Sequence, residues 1–222
     1  MRNRWGAVAF AFAGVMFLLY PAMRPWHDET TSAGARESMS SNAWVAAHFF
    51  GMLGFIAVPL GLLALHGFAR SRLSLAALLA AWIGAGLTLP YYGAEDFGLH
   101  AIAGSGTPNL LDVVDQVRYQ PVAVTIFALG LLSLGAGAVL AAVAVWRSGA
   151  LSRAASVLFA AGFALFIPQF YLPAGARIAH GVLVAIGCVW LAVSLWGAGD
   201  ETGAGNADAP QPRIRAHQNA TL

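Results

Sequence analysis

Six apolar runs, each close to the length that crosses a lipid bilayer as a helix, occupy most of the 222-residue chain. In hydrocarbon the backbone has no water to bond to, so only a helix or a closed barrel satisfies its own N–H and C=O groups. A helix needs about 20 mainly apolar residues for the crossing. The runs cover residues 5–23, 43–66, 73–92 and onward past Pro90, 121–146, 154–171 and 174–196. Only 10% of the residues are charged, against roughly 25% in a soluble domain. The predicted fold is all-α: a polytopic integral membrane bundle of six transmembrane helices in one domain, residues 1–196. Residues 197–222 are rich in Gly, Ala, Asn, Asp and Pro, lack apolar periodicity, and are expected to form a disordered cytoplasmic tail.

Arginines orient the bundle. Six crossings that start inside leave Arg2, Arg4, Arg70, Arg72, Arg147, Arg153, Arg213 and Arg215 on the inner side, eight in all, and Arg24, Arg36, Arg118 and Arg177, four, on the outer side. The positive-inside rule therefore places both termini in the cytoplasm. Trp5, Trp146 and Trp196 fall at inner ends and Trp26 and Trp44 at outer ends, as an aromatic belt requires. Ala33-Gly34-Ala35 has the form of a signal-peptidase site, but it lies well beyond the first apolar run with charged residues between, so the first span is expected to be retained. All twelve basic residues are Arg; with the heavy use of Ala and Gly, this suits a high-GC bacterium and an inner-membrane location. Small residues four apart, at Ala80 and Gly84, Gly137 and Ala141, and Ala160 and Ala164, allow close helix packing. The Ala-His pairs at Ala47-His48 and Ala179-His180 hint at an internal repeat.

Threading the chain this way gathers the titratable groups at the outer end. At about 1.5 Å per residue, His48 lies about 9 Å and His180 about 10 Å below the outer edge. Glu95, Asp96 and His100 fall at or just past it, with Arg118 and Gln169 close by. Ionisable groups in or beside lipid are costly, so their convergence suggests a site. In a regular helix Tyr92, Asp96 and His100 share one face and Glu95 points about 100° away. Asn109 or Asp112 is positioned to cap a short surface helix bearing Arg118.

Several functions fit this pattern. The first is a pocket that binds a small lipophilic molecule and converts it by acid/base chemistry, isoprenoid cyclisation or isomerisation being one example. Its enzyme class would be a membrane-integral lyase, cyclase or isomerase. Glu95, Asp96, His48, His180 and His100 are the expected acid/base groups, since a carboxylic acid in an apolar pocket can act as a general acid. Tyr91, Tyr92, Phe97, Arg118, Gln169 and Tyr171 are the expected substrate-binding groups. The second is a haem- or metal-binding redox protein using the helix histidines, although the sequence assigns no metal ligand set and no named cofactor. The third is an accessory or structural membrane subunit without catalysis. Transport is disfavoured because the middle and inner thirds carry no polar path. Expected partners are membrane lipids and a lipophilic ligand. Nucleic acid is excluded by the absence of a basic patch. The single cysteine, Cys188, leaves no internal disulfide.

Overall fold

The structure, a computed structural model, describes residues 2–149 and 151–207. Among the described residues every regular element is helical. The order is α1 (Arg2–Met23), α2 (Ser32–Met39), α3 (Asn42–Ala69), α4 (Arg72–Gly93), a π-helical segment (Ala94–Gly98), α5 (Leu99–Gly104), α6 (Leu110–Arg118), α7 (Pro121–Ser148), α8 (Arg153–Ala164), a 3-10 turn (Pro168–Tyr171) and α9 (Ala174–Ala207). Polar side chains start the helices by satisfying the first free N–H groups. Ser41 accepts from Trp44, Ser71 and Ser74 form a capping box, Ser152 accepts from Ala155 and Gln120 from Ala123.

Five helical stretches are long and apolar enough to cross a membrane: Arg4–Met23, Asn42–Ala69, Arg72–Gly104, Pro121–Ser148 and Ala174–Ala198. These five and the shorter α8 close into a ring, with α1 packed on α3 and α9, α3 on α4, α4 on α7, α7 on α8, and α8 on α9. Aromatic rings fill the middle: Phe17 meets Phe55, Phe163 and Phe166 edge-on at centroid distances of 5.0, 5.5 and 5.5 Å. The α4–α7 seam runs backbone to backbone. A Cβ at Gly84 would sit 2.7 Å from the Gly130 carbonyl, and one at Gly137 2.9 Å from the Ala77 carbonyl. The expected small pair Ala80 and Gly84 lies at this seam, where the Ser133 hydroxyl also donates to the Ala80 carbonyl at 2.8 Å.

The fifth expected span, 154–171, differs. Helix α8 has 12 residues and stops at Ala164, short of a crossing on its own. Pro168 lacks the N–H that would bond Ala164 and its ring crowds that carbonyl, so the chain tightens into turns. Helix α8 and the turns after it together nevertheless follow α9. Ser152 N–H donates to Ser194 Oγ (2.8 Å) at one end, and Arg177 Nε donates to Gln169 Oε1 (3.1 Å) at the other. The α9 backbone between those two contacts is about 26 Å long.

Helix α9 also runs beyond the expected end at Trp196, to Ala207, because a helix already nucleated extends at little cost per residue. The remainder of the expected tail, 208–222, lies outside the described residues.

The end of the ring opposite both described termini carries a cap made of α2, α5 and α6. Ala35, Met39, Trp44, Leu99, Ala103, Leu110 and Val114 form its own small core. Arg36 ties the cap together, donating to the Ala103 carbonyl and to the Thr107 carbonyl (2.7 Å). The cap sits on the rod Arg72–Gly104, whose 33 residues span about 50 Å, well over the roughly 30 Å of a hydrocarbon core. Helix α6 begins after Asn109 as expected, although the Asn109 side chain makes no cap bond.

Candidate ligand site

A cavity of about 310 Å³ opens at the capped end. It lies at the lower end of the size range of small-molecule pockets. Tyr20, His48, Tyr92 and Phe127, all buried, form its floor, while Tyr119 (67% exposed) and Tyr171 (86%) stand at its mouth. Tyr91 stacks on Phe127 at 4.1 Å and 15°, and Phe170 lies 5.8 Å from Phe127. Val124 on α7 and the charged Arg24, Glu29, Glu95, Arg118 and Arg177 complete the lining.

The charged groups form a chain. Arg118 donates from Nε to Glu95 Oε1 (2.6 Å) and from Nη2 to Glu95 Oε2 (3.0 Å). Its third nitrogen, Nη1, donates to Glu29 Oε2 (2.9 Å). The other Glu29 oxygen accepts from Arg24 Nη2 (2.6 Å). Burial alone favours a neutral guanidine, but the Glu95 and Glu29 carboxylates outweigh it and hold the Arg118 pKa above its ordinary value.

Trp44 sits under this chain. It is fully buried, its Nε1–H donates to the Glu95 carbonyl (2.9 Å), and the Arg24 guanidinium lies 4.8 Å from its ring. The Trp44 carbonyl accepts from His48 Nδ1 (2.9 Å). A carbonyl only accepts, so Nδ1 carries the hydrogen and Nε2 is the nitrogen left for the cavity.

Local sequence explains the placement. Pro90 breaks the hydrogen-bond ladder of α4, and the π-helical turn that follows adds a residue to the register. Glu95 lies four residues after Tyr91 and three after Tyr92, so the three side chains share a face, and all three line the cavity. Asp96 is buried away from the cavity lining, at 0% exposure, and neither carboxylate oxygen has a hydrogen-bond partner among the described residues.

The structure brings together six of the sequence-predicted residues, His48, Tyr91, Tyr92, Glu95, Arg118 and Tyr171. Gln169 and His180 line a tight void of about 10 Å³ next door. There His180 Nε2 donates to the Gly162 carbonyl (2.8 Å). Asp96, Phe97 and His100 stand apart: Phe97 is 58% exposed, and His100 Nδ1 donates to the Met39 carbonyl (2.8 Å). Sequence reasoning missed Arg24, Glu29, Trp44, Tyr20 and Phe127. Arg24 and Glu29 bracket Trp26 at the end of the first span, and that run of opposite charges at a span end is the signal that was present. Among the described residues no group of three or more His, Cys, Asp or Glu side chains is placed to hold a metal ion.

Fold and site define an all-helical protein with five helices able to cross a membrane and an aromatic, ion-paired cavity at one end of its ring. No protein-family model matches the chain, and neither a curated protein nor a solved structure shows significant similarity to it.

Proposed function

We propose that the protein binds a small lipophilic molecule in the capped-end cavity of a six-crossing membrane bundle. The cavity carries this reading, because aromatic walls converge there on a few fixed polar groups, as small-molecule sites require. The sixth crossing is α8 with its 3-10 turn, supported by their course along about 26 Å of α9. The capped end faces outward and both termini lie in the cytoplasm of a bacterial inner membrane, supported by the arginine bias.

Binding is better supported than conversion. Of the five expected acid/base groups, His48 and Glu95 line the cavity, and Glu95 is held by two bonds from Arg118. A reaction in this cavity would use His48 Nε2 as its base. The test is mass spectrometry of the organic extract of purified protein, comparing wild type with Val124→Trp, which fills the cavity from its wall. A stoichiometric lipophile in the wild type that is lost in the variant supports the proposal. Equal amounts in both, or none in either, contradicts it.

A further inference from the structure

The cavity lining carries three arginines and two glutamates, one positive charge more than its acids neutralise. The surplus has a location. Arg118 and Arg24 are engaged by Glu95 and Glu29. Arg177 is not: its hydrogen bond goes to the neutral amide of Gln169 (3.1 Å), and it forms no ion pair with a carboxylate among the described residues. Its guanidinium instead lies 4.9 Å from the Trp26 ring and 5.2 Å from the Phe170 ring. Arg24 stacks on the same indole at 4.6 Å. Arg24 is itself buried, at 8% exposure, and its Nε has no acceptor among the described residues. Two guanidiniums therefore meet at Trp26 with hydrogen-bond donors to spare. Arg177 is half-buried between aromatic rings, and a charge there without a carboxylate partner is stabilised by a counter-ion.

Resting on the reading of the cavity as a lipophile site, we infer that its ligand is an anionic amphiphile. Its carboxylate or phosphate head docks on Arg177 beside Arg24 and Trp26, and its hydrocarbon body lies against Tyr91, Phe127 and Phe170. Guanidinium is suited to such heads because its planar fork offers parallel N–H donors to two oxygens. One negative charge balances the lining. A neutral lipophile leaves Arg177 unmatched, and a cationic one adds repulsion.

The test uses the full chain in nanodiscs of zwitterionic phosphatidylcholine, labelled by a diazirine-bearing palmitate with cross-links mapped by peptide mass spectrometry. Labelling is expected on α7 and the Pro168–Tyr171 turn. Oleate is expected to displace the probe at roughly tenfold or more lower concentration than oleyl alcohol, the yield of one charge-assisted contact. Lysophosphatidate is expected to follow oleate, and inorganic phosphate to have no effect. Arg177→Gln is expected to remove the preference for oleate while leaving displacement by oleyl alcohol. Displacement by phosphatidylglycerol added to the disc supports the same inference, with the bilayer as the source of the anion.

Equal displacement by oleate and oleyl alcohol in the wild type overturns the anionic head and leaves the lipophile site standing. This comparison needs no variant to fold. Displacement by inorganic phosphate as efficient as by oleate overturns the hydrocarbon body. Absence of saturable labelling in the cavity overturns the lipophile site itself.

Discussion

Arg118 grips Glu95 through two hydrogen bonds, at 2.6 and 3.0 Å, and joins the end of α6 to the π-helical turn 23 residues earlier. The side chains are only 17% and 10% exposed, so neither charge is well solvated once its partner is gone. Helix α6 belongs to the cap and the π-turn to the rod Arg72–Gly104. The pair is thus the bolt between cap and ring, and it shapes the wall of the cavity as it does so.

Removing Arg118 strands the Glu95 carboxylate, and removing Glu95 leaves Arg118 with Glu29 as its one carboxylate among the described residues. Glu95→Gln or Arg118→Met alone is expected to cost about 2 kcal/mol, the range of a charge-assisted hydrogen bond left unmade in a partly buried setting. The double variant is expected to lose clearly less than the two singles together, because both singles break the same Arg118–Glu95 pair. Unfolding in mild detergent, followed by intrinsic fluorescence, measures this. Additive losses contradict the coupling.

Asp96 is the opposite case. Its carboxylate is fully buried without a hydrogen-bond partner among the described residues. Replacing an unsatisfied buried polar group with an apolar one of similar size is neutral or stabilising. Asp96→Leu is expected to raise the unfolding free energy, by about 1 kcal/mol. A loss of stability instead shows that the carboxylate has a partner, such as a bound water or ligand.

The α4–α7 seam tolerates no added side chain. Gly84→Leu and Gly137→Leu place atoms against the backbone of the facing helix, and each is expected to destabilise by about 2–3 kcal/mol through overpacking. Gly86 has nothing within 4 Å of its missing Cβ, so Gly86→Leu is the control and is expected to change little. Comparable losses at all three positions contradict close approach as the cause.

Arg36 holds the cap to the loop after α5 through two backbone carbonyls. Arg36→Ala is expected to speed amide hydrogen exchange around Gly104–Asn109 by about tenfold, equivalent to roughly 1.4 kcal/mol of local opening. Exchange in α7 is expected to stay unchanged. Unaltered exchange in both segments contradicts a holding role for Arg36.

How much of this is legible before the fold is known follows from which forces write themselves into local sequence. The long helices are legible, because bilayer length and apolar composition are local properties. The clustering of His48, Glu95 and Arg118 follows from counting residues along those helices. The exclusion of Asp96 from the cavity is not legible, since a regular helix carries it onto one face with Tyr92 and His100, yet of these three only Tyr92 lines the cavity. The truncation of α8 traces to Pro168, a visible residue whose effect competes with the apolar run around it. Arg24 and Glu29 lie on a connecting loop, where no periodicity announces contact with groups far along the chain. Helix α2 escapes notice for a similar reason: it is short, polar and set outside the apolar runs. Trp44 reads as an interfacial aromatic, and only the fold shows it beneath the ion-pair chain.

The central claim is that the capped-end cavity holds a lipophilic molecule. An experimental density map of the full chain in a lipid nanodisc tests it most directly. The expected result is elongated density between Tyr91, Phe127 and Phe170 with one end on Arg177. A cavity filled only by separate water peaks, or closed by collapse of those aromatic side chains, contradicts it.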